Sequence, residues 1–416
     1  MSSFEVLHEI TILLRRGRSP KYTEETSTLV LNQKCIRDYR CNYDLARFHD
    51  AVTKPIPAEL MIRRGDVLVN STGVGTLGRV APIRSEPLQP STVDSHITIL
   101  RPDPSKIDPE YFGWSIVAQQ ATIEAMGEGA TGQTELSARR LGAEIELWLP
   151  SLATQRRIAS VLGAYDDLIE VNRRRIAVLE EMARGVFEEW FVRFRFPGHE
   201  AVPILDTPDG PLPEGWNWDR IGDVATYVNR GIAPKYDNEA ETLVISQKCI
   251  RDQRLSLLLA RKQSKNVPSE KVVQPGDVLI NSTGTGTLGR VAQAGQVPPG
   301  VTVDSHVTIV RPGSPDDRDY LGLSLFAMQP VFEHMGAGST NQTELARSAV
   351  QNQMLIWPPV DLRARFGGIV RPMRELIEQL AYQNAKLSAS RDLLLPRLIS
   401  GQLSVDDATR QLDEAA

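Results

Sequence analysis

The stretch NSTGVGTLGRVA (70–81) carries Gly73-x-Gly75-x-x-Gly78, the spacing by which a glycine turn brings backbone close to the pyrophosphate of a dinucleotide. Further on, Asp94-Ser95-His96 sets the three residue types of a hydrolytic triad side by side. Each pattern demands a setting. Dinucleotide binding needs a strand, the glycines, then a helix whose N-terminus faces the phosphates. The apolar run DVLV supplies the strand, and Asp94 stands about where a ribose-binding acid would. The helix fails: Pro82 comes four residues after Gly78, and Pro87 and Pro90 follow. Consecutive residues on a strand alternate faces, so Ser95 would point away from Asp94 and His96. The expectation is therefore a tight glycine turn between two strands, with a structural or ligand-contacting histidine. Walker A and HExxH patterns are missing from the sequence, and no nuclease or methyltransferase motif stands out. A chain without catalysis, cofactor or metal of its own is expected.

The elements that must position these residues occur twice. Gly65–Ala81 matches Gly276–Ala292 at 15 of 17 positions. Upstream, RGRSPKY (16–22) matches RGIAPKY (230–236) and NQKCIRD (32–38) matches SQKCIRD (246–252). Downstream, TVDSHITILRP (92–102) matches TVDSHVTIVRP (302–312), and GQTEL (132–136) matches NQTEL (341–345). The offset drifts only from 214 to 209, so a whole domain is duplicated, with small insertions and deletions in loops.

The period changes after each copy. A 3–4 spacing joins Ile158, Leu162, Tyr165, Ile169, Asn172, Ile176 and Leu179 and continues to Trp190. Adding 208 gives Phe366, Val370, Met373, Ile377, Leu380, Asn384 and Leu387, then Arg391. Both read as heptad seams of long helices, and two matched seams favour packing on each other. Each helix would run about 50 Å at ~1.5 Å per residue. Pro396 is predicted to kink or end the second. PGHEAVPILDTPDGPLPEGW (197–216) reads as a linker.

Totals restrict the class. The 416 residues suffice for two or three cores, and the net charge of −5 argues against a generic polyanion binder. The distribution is uneven: 14 Lys/Arg against 9 Asp/Glu lie between Arg15 and Arg101, and 11 against 7 between Arg230 and Arg311. Three cysteines give neither a disulfide framework nor zinc spacing. No apolar run of membrane-spanning length and no signal pattern is seen, so a cytoplasmic location is expected.

The recurring polar residues suit DNA. Gln and Asn can pair with adenine and Arg with guanine, while Lys, Thr and Tyr can hold phosphates. The candidates in the first copy are Arg18, Lys21, Tyr22, Gln33, Lys34, Arg37, Asn70, Thr72, Arg79, His96 and Gln133. In the second they are Lys235, Tyr236, Gln247, Lys248, Arg251, Asn281, Thr283, Arg290, His306 and Gln342.

At this point the chain resembles the specificity subunits of Type I restriction–modification systems, over nearly its whole length. GPLPEGWNWDRIGDVATYVNRG (210–231) resembles the opening of their target recognition domains. GDVLVNSTGVGTLGRV resembles their strand–glycine–strand block, LPSLATQRRIASVLGAYDDLIEVNRRRIAVLEEMARGVFEEWF their spacer helix, and LLLPRLISGQL (393–403) their ending. The resemblance implies an α+β protein with two homologous mixed α/β recognition domains separated by two long helices. These would pack as an antiparallel coiled coil with pseudo-twofold symmetry. The domains are placed at 1–152 (first recognition domain), 153–196 (spacer helix), 197–219 (linker), 220–358 (second recognition domain), 359–403 (C-terminal spacer helix) and 404–416 (acidic tail). It also implies a non-catalytic DNA reader that docks two methyltransferase subunits and motor-nuclease subunits, with no membrane partner. S-adenosylmethionine, ATP and Mg would sit on those partners. Each recognition domain would read one half of a bipartite site, and their similarity predicts similar, inverted half-sites. The usual Glu-Gln at the helix starts is here Thr154-Gln155 and Leu362-Arg363. A silent specificity-like protein, a coiled-coil adaptor and a nucleotide-dependent enzyme are the alternatives.

Overall fold

The computed structural model describes residues 3–25, 27–127, 135–335, 344–407 and 410. Contacts divide the chain into two units. The first holds Met1–Val171 with Asn384–Ala416, and the second holds Asn172–Gln383.

In the first unit, Thr11–Arg16, Ile97–Pro102, Val67–Asn70 and Val80–Pro82 form an antiparallel sheet in that order. The apolar, β-branched residues of the two central strands, Ile97–Pro102 and Val67–Asn70, are buried on both faces. A second sheet runs Ser91–Val93, Thr28–Leu31, Arg47–His49, Tyr22–Thr23, with the first pair parallel. One core sits between the sheets, around Leu31, Ile36, Leu68 and Ile99. The other lies under the helix Pro109–Ala118, around Tyr111, Phe112 and Trp114. Gly17 is a close approach: a Cβ there would lie 2.1 Å from the Val93 carbonyl oxygen, so no larger residue fits.

The second unit repeats this plan. Ala225–Arg230, Val307–Pro312, Val278–Asn281 and Val291–Gln293 make the antiparallel sheet, and Leu243–Ile245 pairs parallel with Thr302–Val303. Gly231 approaches the Val303 carbonyl as Gly17 approaches Val93. Part of the Pro/Gly-rich segment packs here too: Ile204–Leu205 pairs with Leu212–Pro213, and Leu212 and Trp216 are buried.

The first long helix spans Leu152–Phe187 and continues as a π-helical turn, Glu188–Val192. The second spans Val360–Ile399. Within the first unit, Asn384 Nδ2 donates to the Ile169 carbonyl at 3.4 Å and Arg391 pairs with Asp166. Rising numbers meet falling ones, so these segments are antiparallel. Within the second, Phe187, Trp190 and Phe191 surround Phe366 at centroid distances of 6.2, 6.0 and 4.9 Å. The π turn places Trp190 and Phe191, neighbours in sequence, both in the core. Seam residues Ile158, Leu162, Tyr165, Ile169, Asn172, Ile176, Phe366, Val370 and Leu380 are buried. Leu179, Met373, Ile377, Asn384 and Leu387 are half-buried. Pro396 neither ends the second helix nor stands at its cap. It occupies the last turn, the helix runs on to Ile399, and Gly401 (φ 73°) closes it, its N–H bonding the Leu398 carbonyl.

Candidate nucleic-acid interface

The glycine block is a strand–turn–strand unit in both copies. After Val67–Asn70 the chain turns through Gly73, Gly75 and Gly78 at φ of 105°, 72° and 80°, then returns as Val80–Pro82. A Cβ on Gly73 would lie 2.1 Å from Gln33 Oε1, and one on Gly78 would lie 2.7 Å from the Glu124 backbone. The turn is thus held against the Gln33 segment on one side and a helix on the other.

Side chains complete the bracing. Gln33 Nε2 donates to Thr72 Oγ1 at 2.8 Å, and Thr72 Oγ1 lies 2.7 Å from His96 Nδ1. Gln33 Oε1 accepts from Thr76 Oγ1 at 3.1 Å, which fixes the amide's orientation. Arg79 donates to the Gly75 carbonyl at 2.8 Å. The second unit matches: Gln247 bonds Thr283, Thr283 lies 2.8 Å from His306 Nδ1, and Arg290 reaches the Gly286 carbonyl at 2.7 Å. The histidine rings are exposed beyond these bonds.

Asn70 and Asn281, expected among the DNA contacts, are fully buried. The amide of Asn70 donates to the carbonyls of Gln33 and Thr76, both at 3.1 Å. That of Asn281 donates to Gln247 and Thr287, at 3.2 and 3.0 Å. Both amide hydrogens are spent holding the turn, which withdraws these residues from any surface contact.

The other candidates are on the surface or partly so. Arg18, Lys21, Tyr22, Lys34 and Arg37 are exposed, as are Lys235, Tyr236, Lys248 and Arg251. Lys21 is engaged with Asp50 at 2.9 Å. Tyr22 lies under Arg47 at 3.6 Å and Tyr236 under Arg261 at 3.5 Å, so each presents a stacked cation–aromatic pair. Arg37 and Arg251 sit in short hairpins whose tips, Asp38–Tyr39 and Asp252–Gln253, take left-handed φ of 51–60°. This is the twist-matched form of a two-residue hairpin turn. Gln133 and Gln342 lie outside the described residues.

At the far end of these strands from the turn is a brace absent from the sequence-based candidates. Arg101 grips Asp66 with two bonds of 2.7 and 2.8 Å and also caps the Glu59 and Met61 carbonyls. Arg311 grips Asp277 at 2.9 and 2.7 Å. The repeated blocks GDVL and TILRP/TIVRP contained these residues. Their signal was repetition of an acid and an arginine within otherwise apolar strands.

The Asp-Ser-His pattern is not a triad. His96 Nδ1 faces Thr72, while Ser95 Oγ lies 3.5 Å from Ser19 Oγ. Asp94 accepts the His96 backbone N–H at 2.8 Å, and burial pushes its carboxyl above the usual range, as for Asp304. The arrangement offers exposed donors, amides and stacked aromatics on a rigid turn, which suits binding a polyanion and reading base edges.

Comparison with known proteins agrees. Residues 59–181 match the family model described as Type I restriction modification DNA specificity domain. The specificity subunit of the Type I restriction enzyme MjaIX of Methanocaldococcus jannaschii is 27% identical over 275 residues, covering 64% of this chain and 62% of that protein. The alignment with this relative thus spans less than two thirds of its length. The HindI specificity subunit of Haemophilus influenzae is 20% identical, covering 84% of this chain and 89% of that protein. The crystal structure of the Type I restriction–modification S subunit from M. genitalium shares the fold, with a TM-score of 0.58 at 14% identity and 96% of each chain covered. The chain is thus similar to Type I restriction–modification specificity subunits, in sequence over residues 59–181 and in fold over 96% of its length.

Proposed function

We propose that this chain is the non-catalytic DNA reader of a Type I complex, each unit reading one half of a bipartite site. The observation that carries this is the duplicated turn: Gln33–Thr72–His96 and Gln247–Thr283–His306 are built on the same strands with the same partners. Like surfaces recognise like sequences, so the two half-sites are similar and, if the units are related by a twofold axis, inverted. The long helices set the spacer between the halves and, with the recognition bodies, dock methyltransferase and motor-nuclease subunits. Those partners supply S-adenosylmethionine and ATP–Mg chemistry for adenine methylation and restriction.

The test is selection from a random duplex pool with the full chain assembled with methyltransferase and nuclease subunits from the same host. Recovery of one split motif with a constant gap is expected. Enrichment without order, or none, would overturn the reading. A split motif bound but left unmethylated would identify a silent reader.

A further inference from the structure

Among the described residues, the glycine turn leaves a row of backbone donors without an acceptor. Thr76 and Leu77 N–H both go to the Gly73 carbonyl, and Gly78 N–H goes to Asn70. Among the described residues, no acceptor takes the N–H of Gly73, Val74 or Gly75. In the second unit Thr287 and Leu288 likewise bond Gly284, and among the described residues no acceptor takes the N–H of Gly284, Thr285 or Gly286. Successive N–H groups around positive-φ residues form a concave nest that binds anions.

Three further facts give this nest its ligand class. Arg79 is anchored to the turn by one bond to the Gly75 carbonyl, and a guanidinium carries five N–H groups, so most of its donors remain. His96 is exposed, with Nδ1 turned inward to Thr72. When the Thr72 hydroxyl donates to Nδ1, the ring's own hydrogen sits on Nε2, at the outer edge. A Cβ on Gly75 would meet nothing within 4 Å, so the turn is open at its tip. The side chain there is Val74 in one unit and Thr285 in the other, the only change between the two turns from residue 70 to 81.

We propose that each glycine turn is a phosphate clamp, in which the backbone N–H groups of 73–75 and the Arg79 guanidinium hold one phosphodiester of the DNA backbone, with His96 at its edge. The second turn, with Arg290 and His306, holds another. This rests on the DNA-reading proposal and refines it. The most repeated block in the chain fixes the protein's register on DNA, and the bases are read by other side chains of the same duplicated surface.

The test uses the full chain with its partners on a duplex bearing the selected site, comparing wild type with Arg79→Gln, Arg290→Gln and the rescue Arg79→Lys. Phosphate-ethylation interference should reveal one sensitive phosphate per half-site that is lost in only one half for each Gln variant. Specific and non-specific binding should weaken together. The slope of log affinity against log salt should fall by about 1 per variant and recover with lysine. An unchanged footprint and slope, or a changed base preference at one position, would overturn the clamp while leaving the reader intact. Wild-type complex that selects no duplex would overturn the reader itself.

Discussion

The two units keep the same turn but anchor their recognition bodies to the helices with different chemistry. At the start of the first helix, Gln155 accepts the Asp108 N–H and donates to the Pro150 carbonyl, both at 2.9 Å. At the matching place in the second helix, Arg363 pairs with the Asp317 carboxylate at 2.7 Å, reaches the Pro358 carbonyl and stacks on Trp357. Further along, Asp166 of the first helix receives Arg84 from the loop after Val80–Pro82 and Arg391 from the second helix. Its counterpart in the repeat, Arg374, has the opposite sign and turns to Asp319, beside Arg371. Each unit therefore buries one acid between two arginines, but the acid comes from a helix of the coil in one and from the recognition body in the other. The glycine turn and its bracing have been kept, while the charges locking each body to its helices have been rewritten.

The largest effect should come from these locks. Asp319 is 1% exposed, and Asp319→Asn leaves Arg374 buried without its counter-charge. Burial already pushes that guanidinium's pKa down. A loss of about 3–5 kcal/mol is expected in denaturant unfolding of the full chain. A loss below ~1 kcal/mol would show that the lock is ornamental. Asp166→Asn should cost less, since Arg84 is about one-third exposed. Next come the helix starts. Arg363→Leu strands the Asp317 carboxylate, at about 2–3 kcal/mol, whereas Gln155→Leu breaks only neutral bonds, at about 1 kcal/mol. Equal costs would erase the distinction between a charged and a neutral anchor.

Much of the turn was legible in the sequence, because glycines followed by prolines leave a strand–turn–strand and no helix. The seams were legible because apolar residues recur at 3–4 spacing over many turns. Asn70 was misjudged because an amide that suits adenine suits two backbone carbonyls equally well, and residue type carries no information about burial. The Asp66–Arg101 brace escaped because charged residues inside apolar strands gave no sign that they meet. Pro396 suggests a kink or an end from its residue type, yet it lies in the last turn of a helix that runs on to Ile399 before Gly401 closes it.

Smaller effects sharpen the likeness between the turns. Thr72→Val should cost about 1 kcal/mol, unhook His96 from Gln33 and disturb one half-site only. Thr283→Val should do the same to the other. The raised carboxyls of Asp94 and Asp304 hold their protons more tightly folded than unfolded. Their contribution to stability is therefore fully present below the ordinary Asp value and is lost as pH rises through the raised one. Asp94→Asn should flatten that fall in an acid titration of unfolding. Exchanging Val74→Thr with Thr285→Val should move stability by less than about 0.5 kcal/mol and leave both half-sites unchanged.

The most direct measurement is base-modification sequencing of host DNA with the gene intact, deleted, or carrying Thr72→Val or Thr283→Val alone. The account expects deletion to erase one split adenine-methylated motif whose halves are near-copies in inverted order, with each variant impairing recognition of a different half. An unchanged methylation pattern on deletion, or two variants that impair the same half, would contradict it.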